Sequence, residues 1–203
     1  TMDYSTKSVL NRLKWVRRNI EKQNLTNLNM NFYFSDPKFN ILSEALKSNV
    51  KQISTNTSKK NNKELFYWSE GSVSFGRDGE TSLSLHKDIN VTSITYGVDK
   101  ITKNKGLEGM ALRFGVDNVD VGSKGSKIDS HTYNFTYYRN FQRNNNKSFL
   151  DTIIGIGLIE SDITSVTGDL LFHNKDRLGK QIYLTLKNSD YIERNGYTVV
   201  PAA

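Results

Sequence analysis

Hydrophobic and polar residues alternate along the chain from Glu64 onward, in six successive stretches. Alternation with a period of two predicts β-strands that have one apolar side and one polar side. The apolar side of the predicted strands carries Leu65, Tyr67, Val73 and Phe75, then Ile94, Tyr96 and Val98, then Met110, Leu112, Phe114 and Val116, then Tyr133, Phe135 and Tyr137, then Ile154, Ile156 and Leu158, and finally Ile182, Leu184 and Leu186. A further strand is predicted to begin near Tyr197.

The other side of these strands carries mainly polar and small residues, which suits contact with water. The candidate site residues on this polar side are Glu70, Ser72, Ser74, Thr95, Asp99, Arg113, Asp117 and Asn134. If the sheet forms a barrel, these eight residues are expected to face its lumen. Taken one at a time, the charged members are more often ordinary solvated groups, and that is the favoured interpretation of them.

Polar stretches separate the predicted strands. Tight turns are predicted at 77–80, 103–106 and 143–147, and longer polar loops at 117–127 and 161–176. Short turns on one rim and longer loops on the other are typical of outer-membrane barrels. The strands also approach the 9–11 or so residues that cross a bilayer at a tilt. We therefore predict a mainly β fold, an antiparallel up-and-down meander that forms part of a transmembrane β-barrel, preceded by an N-terminal helical segment.

The segment before the strands has a helical period. Apolar residues recur there at spacings of three and four, at Val9, Leu10, Leu13, Val16 and Ile20. The pattern predicts a helix from Val9 to Lys22, capped by Ser5, Thr6 or Ser8, with Arg12, Arg17, Arg18 and Lys22 on the opposite face. An apolar patch at 30–34, a short helical pattern at 41–46 and a polar linker at 47–63 follow. The predicted domains are a helical and linker segment, residues 1–63, and a strand region, residues 64–203.

Composition and candidate chemistry narrow the function. Cysteine is absent, which excludes disulfides and thiolate metal sites. The net charge of +7 reflects solvated turns such as 58–63 and 143–147, so no nucleic-acid partner is predicted. His86, His131 and His173 lack metal-ligand spacing, and Ser72 and Ser74 lack the spacing of a nucleophile elbow. We predict no enzyme, no cofactor and no metal site.

The stretch FYWSEGSVSFGR, residues 66–77, resembles the opening strand of the autotransporter β-domain, in which an aromatic residue, a small residue and a Gly-Ser-Val-Ser-aromatic-Gly run recur. Residues 96–99, 109–121 and 129–138 resemble the second, third and fourth strands of that family. The resemblance covers roughly residues 65–200, about two-thirds of the chain.

This resemblance implies a barrel of about a dozen strands in the bacterial outer membrane, with a helix in its pore. The implied partners are outer-membrane lipid, the passenger domain of the same polypeptide and the barrel assembly machinery. The chain holds roughly half of those strands and lacks the family's aromatic C-terminal residue. We therefore expect a partial barrel whose first and last strands do not pair. Contact between the basic face of the helix and the acids of the polar side is the alternative to the favoured solvated charges.

Two alternatives stay open. One is a soluble or surface-exposed β-sandwich adhesin that binds glycans or a host protein, and the other is a passive porin. A sandwich would bury the apolar sides of its strands in a dry core, whereas a membrane barrel turns them outward.

Overall fold

The computed structural model describes residues 2–20, 24–34, 65–80, 85–102, 106–143, 148–167, 170–190, 192–194 and 197–199. Its elements are the helix α1 (Met2–Asn19) and the strands β1 (Asn27–Phe34), β2 (Leu65–Asp78), β3 (Lys87–Ile101), β4 (Leu107–Val121), β5 (Ser126–Arg143), β6 (Ser148–Thr167), β7 (Leu170–Asp190), β8 (Ile192–Arg194) and β9 (Tyr197–Val199).

Strands β2 to β7 follow one another as antiparallel neighbours in a single sheet, and β1 adds a seventh strand at the β2 edge. Pairing is continuous along each hairpin, so that Ile94 lies opposite Phe114 and Leu112 lies opposite Phe135. The predicted up-and-down meander is confirmed. Within the described ranges β7 pairs only with β6, so the sheet is not closed, as expected for a partial barrel.

The predicted sidedness of the six strands is also confirmed. Every residue assigned to the apolar side is exposed or half-buried, whereas the polar side is largely buried. Ile154, for example, is 47% exposed, while its neighbour Ile153 is 0% exposed. A soluble sheet buries its apolar side instead, whereas the side chains on this side stay exposed among the described residues. This arrangement contradicts the sandwich alternative.

Several predicted boundaries are wrong. The helix is Met2–Asn19 instead of Val9–Lys22, so the expected caps lie inside it. Most residues of the predicted loops 117–127 and 161–176 belong to strands. The turn 122–125 alone joins β4 to β5, and β7 already begins at Leu170. Backbone pairing extends past the alternating stretches, into residues where polar and apolar side chains no longer alternate.

Both ends of the strand region hold further differences. The strand near Tyr197 does not extend the large sheet, because β9 pairs with β8 in a separate two-stranded sheet. In contrast, the patch at 30–34 belongs to a strand, β1, that the sequence analysis did not predict. The helical pattern at 41–46 and the linker at 47–63 lie outside the described residues.

Candidate functional site

The helix α1 lies on the polar side of the sheet. Val9, Leu13 and Val16 recur at helical spacing, are all buried, and belong to one hydrophobic cluster. The sheet contributes to this cluster the side chains of Phe66, Trp68, Leu107, Ala111, Tyr138, Ile153 and Tyr183, from five different strands. The polar side therefore contains an apolar platform, and the apolar stripe of α1 packs on it.

A bidentate ion pair fixes the middle of α1 to β3. Arg12 donates from Nε and Nη2 to the two carboxylate oxygens of Asp99, each at 2.7 Å, and from Nη1 to the carbonyl oxygen of Leu25 at 2.7 Å. Asp99 also accepts from the hydroxyl of Tyr138 at 2.9 Å, and Tyr138 in turn accepts from Nε1 of Trp68 at 2.8 Å. Arg12 and Asp99 are almost wholly buried, so this charge pair is satisfied inside the protein.

Two further contacts attach α1 to the sheet. Nη1 of Arg17 donates to both carboxylate oxygens of Asp151 in β6, at 2.7 and 2.9 Å. Nδ2 of Asn11 donates to Oε1 of Glu70 in β2 at 3.0 Å. The favoured interpretation of solvated charges is thus wrong for Glu70 and Asp99, and Arg12 lies with the apolar stripe and not opposite it. Arg18 does remain exposed.

All eight candidate site residues predicted on the polar side are buried there. Ser72 shares a hydrogen bond with Ser93 at 2.6 Å, Arg113 donates from Nη1 to Thr132 at 3.0 Å, and Asn134 accepts from Gln181. Each of Thr95, Asp117 and Asn134 keeps one buried polar atom that finds no partner in the described part of the chain. Glu70 and Asp99 accept hydrogen bonds from the helix. Arg113 and Asn134 form hydrogen bonds to other residues of the sheet.

The sequence analysis missed the aromatic residues and the carboxylate that hold the helix. Trp68, Tyr138 and Tyr183 point to the polar side, and each ring lies over a glycine on the neighbouring strand, at Gly97, Gly109 and Gly155 respectively. A Cβ at any of these glycines would overlap the ring. The usable signal was an aromatic residue on a polar side opposite a glycine. For Asp151 no comparable signal exists before the register is known.

Charged pairs mark one rim of the sheet, beyond the apolar positions. Arg77 donates from Nε and Nη2 to the carboxylate of Asp88, at 2.5 and 2.9 Å. This hydrogen bonding holds the pKa of Asp88 below its ordinary value. Lys127 and Asp129 form a second exposed pair, at 2.8 Å. On β2 to β5 the outward apolar side chains thus end where solvated charges begin, as at the edge of a bilayer. The strands β6 and β7 run past this level, and Leu170, Leu171 and Phe172 are exposed there.

An outward apolar side, charged residues at the rim and a buried polar side that holds a helix define part of an outer-membrane β-barrel. In the described part of the chain, no helix is both long and apolar enough to cross a bilayer. Residues 67–197 match the family model described as the autotransporter beta-domain, and the chain belongs to that family. No curated protein and no solved structure matches the chain significantly. Membership places the protein in the bacterial outer membrane, in a family of translocators and membrane anchors.

Proposed function

We propose that the protein moves or displays an N-terminal passenger at the cell surface. In this proposal residues 64–203 are part of the barrel wall and residues 1–63 are a plug and linker segment. The observation that carries it is the attachment of α1 to the polar side through the Arg12–Asp99 and Arg17–Asp151 ion pairs. Burial of a charge is costly unless the charge is paired, so these two ion pairs support a defined position of α1 on the polar side.

The polar side is the proposed lumen wall, with Glu70, Ser72, Ser74, Thr95, Asp99, Arg113, Asp117 and Asn134 as its lining residues. Burial without a protein partner is costly for the polar atoms of Thr95, Asp117 and Asn134. An aqueous lumen would satisfy these atoms, whereas a dry protein core would not. A helix held against this side would occupy the path of the passenger, and its residues would be the last part of the polypeptide to enter the pore.

The proposed partners of the outward side are membrane lipid and, during insertion, the barrel assembly machinery. The outward residues Leu112, Phe114, Phe135, Ile156 and Leu184 are all more than a third exposed. Exposure of this much apolar surface is unusual for a protein in water. The proposal assigns the protein no catalytic step.

The test is passenger display by the intact protein in a Gram-negative host. An epitope-tagged passenger placed ahead of Met2 should become accessible to antibody and protease on whole cells. The variant Leu112→Asp, which puts a charge on the lipid side, should strongly reduce display. Thr185→Asp, on the polar side of β7, is the matched control and should retain display. Equal display by both variants, or no display by the parent, would contradict the proposal.

A further inference from the structure

The edge of β2 is occupied by β1, which lies outside the part of the chain that matches the family. All eight residues of β1 pair in parallel with Trp68–Phe75. The described side chains of β1 repeat the alternation of the wall, because Asn27 is buried while Leu28 and Met30 are exposed. Leu25, which shortly precedes β1 in the chain, is fully buried.

This edge has a particular importance in a membrane. Lipid cannot satisfy the backbone N–H and C=O groups of an unpaired strand, so a spanning sheet is stable only when it is closed. In an antiparallel barrel, closure pairs the first strand with an antiparallel last strand. The strand that closes such a barrel on β2 needs the same backbone groups that β1 now uses. The two strands therefore exclude each other.

The pairing of β1 has the properties of an exchangeable strand. It covers Trp68–Phe75 only, whereas β3 pairs with β2 along its whole length, Leu65–Asp78. Parallel pairing is also slightly less stable per residue than antiparallel pairing. A longer antiparallel strand would therefore gain both paired residues and a better geometry by replacing β1.

We propose that β1 is a place-holding strand, which covers the membrane-level edge of β2 until an antiparallel strand of the same polypeptide pairs there and displaces it. The inference rests on the proposed barrel function. During assembly β1 protects an edge that would otherwise pair with other chains. The barrel can close only after β1 is released from β2.

The test uses a disulfide between β1 and β2 in the intact protein, made by Met30→Cys with Gly71→Cys. Met30 and Gly71 are register partners on neighbouring strands, and the Met30 side chain lies on the side of the sheet where a Cβ of residue 71 would stand. Cysteines at these positions therefore lie on the same side of the sheet, as a disulfide requires. Ile94→Cys with Phe114→Cys, register partners in β3 and β4, is the control pair. In a pulse–chase experiment, oxidant is added at different times and the formation of each disulfide is measured. Heat-modifiable migration on gels reports whether the barrel has closed.

The proposal predicts that oxidation early in the chase forms the β1–β2 disulfide and blocks heat-modifiable migration. Oxidation of the mature protein should not form this disulfide, because β1 has then left β2. The control disulfide should form at all times and should permit closure. A β1–β2 disulfide that forms equally in the mature, heat-modifiable protein would overturn the place-holding role and leave the barrel function intact. Failure of both pairs to enter the membrane fraction would overturn the barrel function, and the place-holding role with it.

Discussion

At the scale of single residues, Arg12 is a charged side chain that lies among the buried apolar residues of α1. Its guanidinium is buried, forms three hydrogen bonds of 2.7 Å, and lies 5.2 Å from the ring centre of Trp15. The side chain therefore specifies the position of α1 through directional bonds, which the apolar contacts of Val9 and Leu13 cannot do alone.

Loss of this guanidinium should destabilise the protein strongly. Arg12→Met keeps the apolar stem but leaves Asp99 buried without its cation, which costs about 3–5 kcal/mol for a buried pair. Urea unfolding of the reconstituted protein would measure the change. The exposed Arg18 provides the control, since Arg18→Met should change the free energy of unfolding by less than about 0.5 kcal/mol. Equal effects of the two substitutions would contradict the assigned contact.

The sequence allowed Asp99 to be assigned to the polar side, because only the period of β3 was needed for that. The contact with Arg12 could not be predicted, since the two residues are 87 positions apart and the docking of α1 depends on the whole sheet. The same limit applies to Asp151, whose partner Arg17 is 134 positions away.

At the scale of elements, the fit of an aromatic ring over a glycine joins neighbouring strands. Tyr183 of β7 lies over Gly155 of β6, and its hydroxyl hydrogen-bonds to Thr136 of β5 at 2.5 Å. One side chain thereby connects three consecutive strands at the level where α1 packs.

Gly155→Ala should disturb this connection, because the new Cβ would overlap the Tyr183 ring and force it away from Thr136. We expect a loss of about 1–3 kcal/mol, as for other overpacked sites. In the same hairpin Gly179→Ala meets only ordinary contact with Ile159, at 3.6 Å, and should be neutral or slightly stabilising. Unfolding in urea would compare the two variants, and a neutral Gly155→Ala would show that the ring can relax.

The strands were predictable from the sequence where their two sides differ in polarity. Only there do apolar and polar residues alternate, and that alternation identifies a strand. The ends of β4 to β7 were not, because polar and apolar residues do not alternate there. The first three residues of β7, for example, are Leu170, Leu171 and Phe172. The strand β1 was missed because Asn alternates with apolar residues over only the first six of its eight positions, next to a stretch that also contains Pro37.

The attachment of α1 predicts a measurable effect on the pore. Removing both cations, as Arg12→Met with Arg17→Met, should weaken the plug and raise the frequency of open-channel events in planar bilayers. The control Arg18→Met should leave the conductance at the parental level. A parental conductance that is already as high as that of the double variant would favour the passive porin instead.

At the scale of the whole molecule, the sheet turns its apolar side outward and its polar side toward α1. Ile154 lies among the exposed apolar residues of β6, which run from Leu150 to Leu158. Ile154→Arg should cost about 2–4 kcal/mol in a bilayer, the range measured for a charge near the midplane of a barrel. Thr185→Arg on the polar side should cost much less. Refolding into lipid vesicles at increasing urea concentration would measure both, and equal tolerance would argue against a lipid-facing side.

The most direct measurement of the central claim is the collision accessibility of spin labels on the intact protein in lipid vesicles. Labels at Leu112, Phe135 and Ile154 should be relaxed by oxygen, which concentrates in the hydrocarbon, and hardly by a water-soluble nickel complex. Labels at Gln181 and Thr185 should show the reverse preference. A stable monomer in plain buffer, with the outward labels accessible to the nickel complex, would contradict the assignment of the apolar side to the membrane.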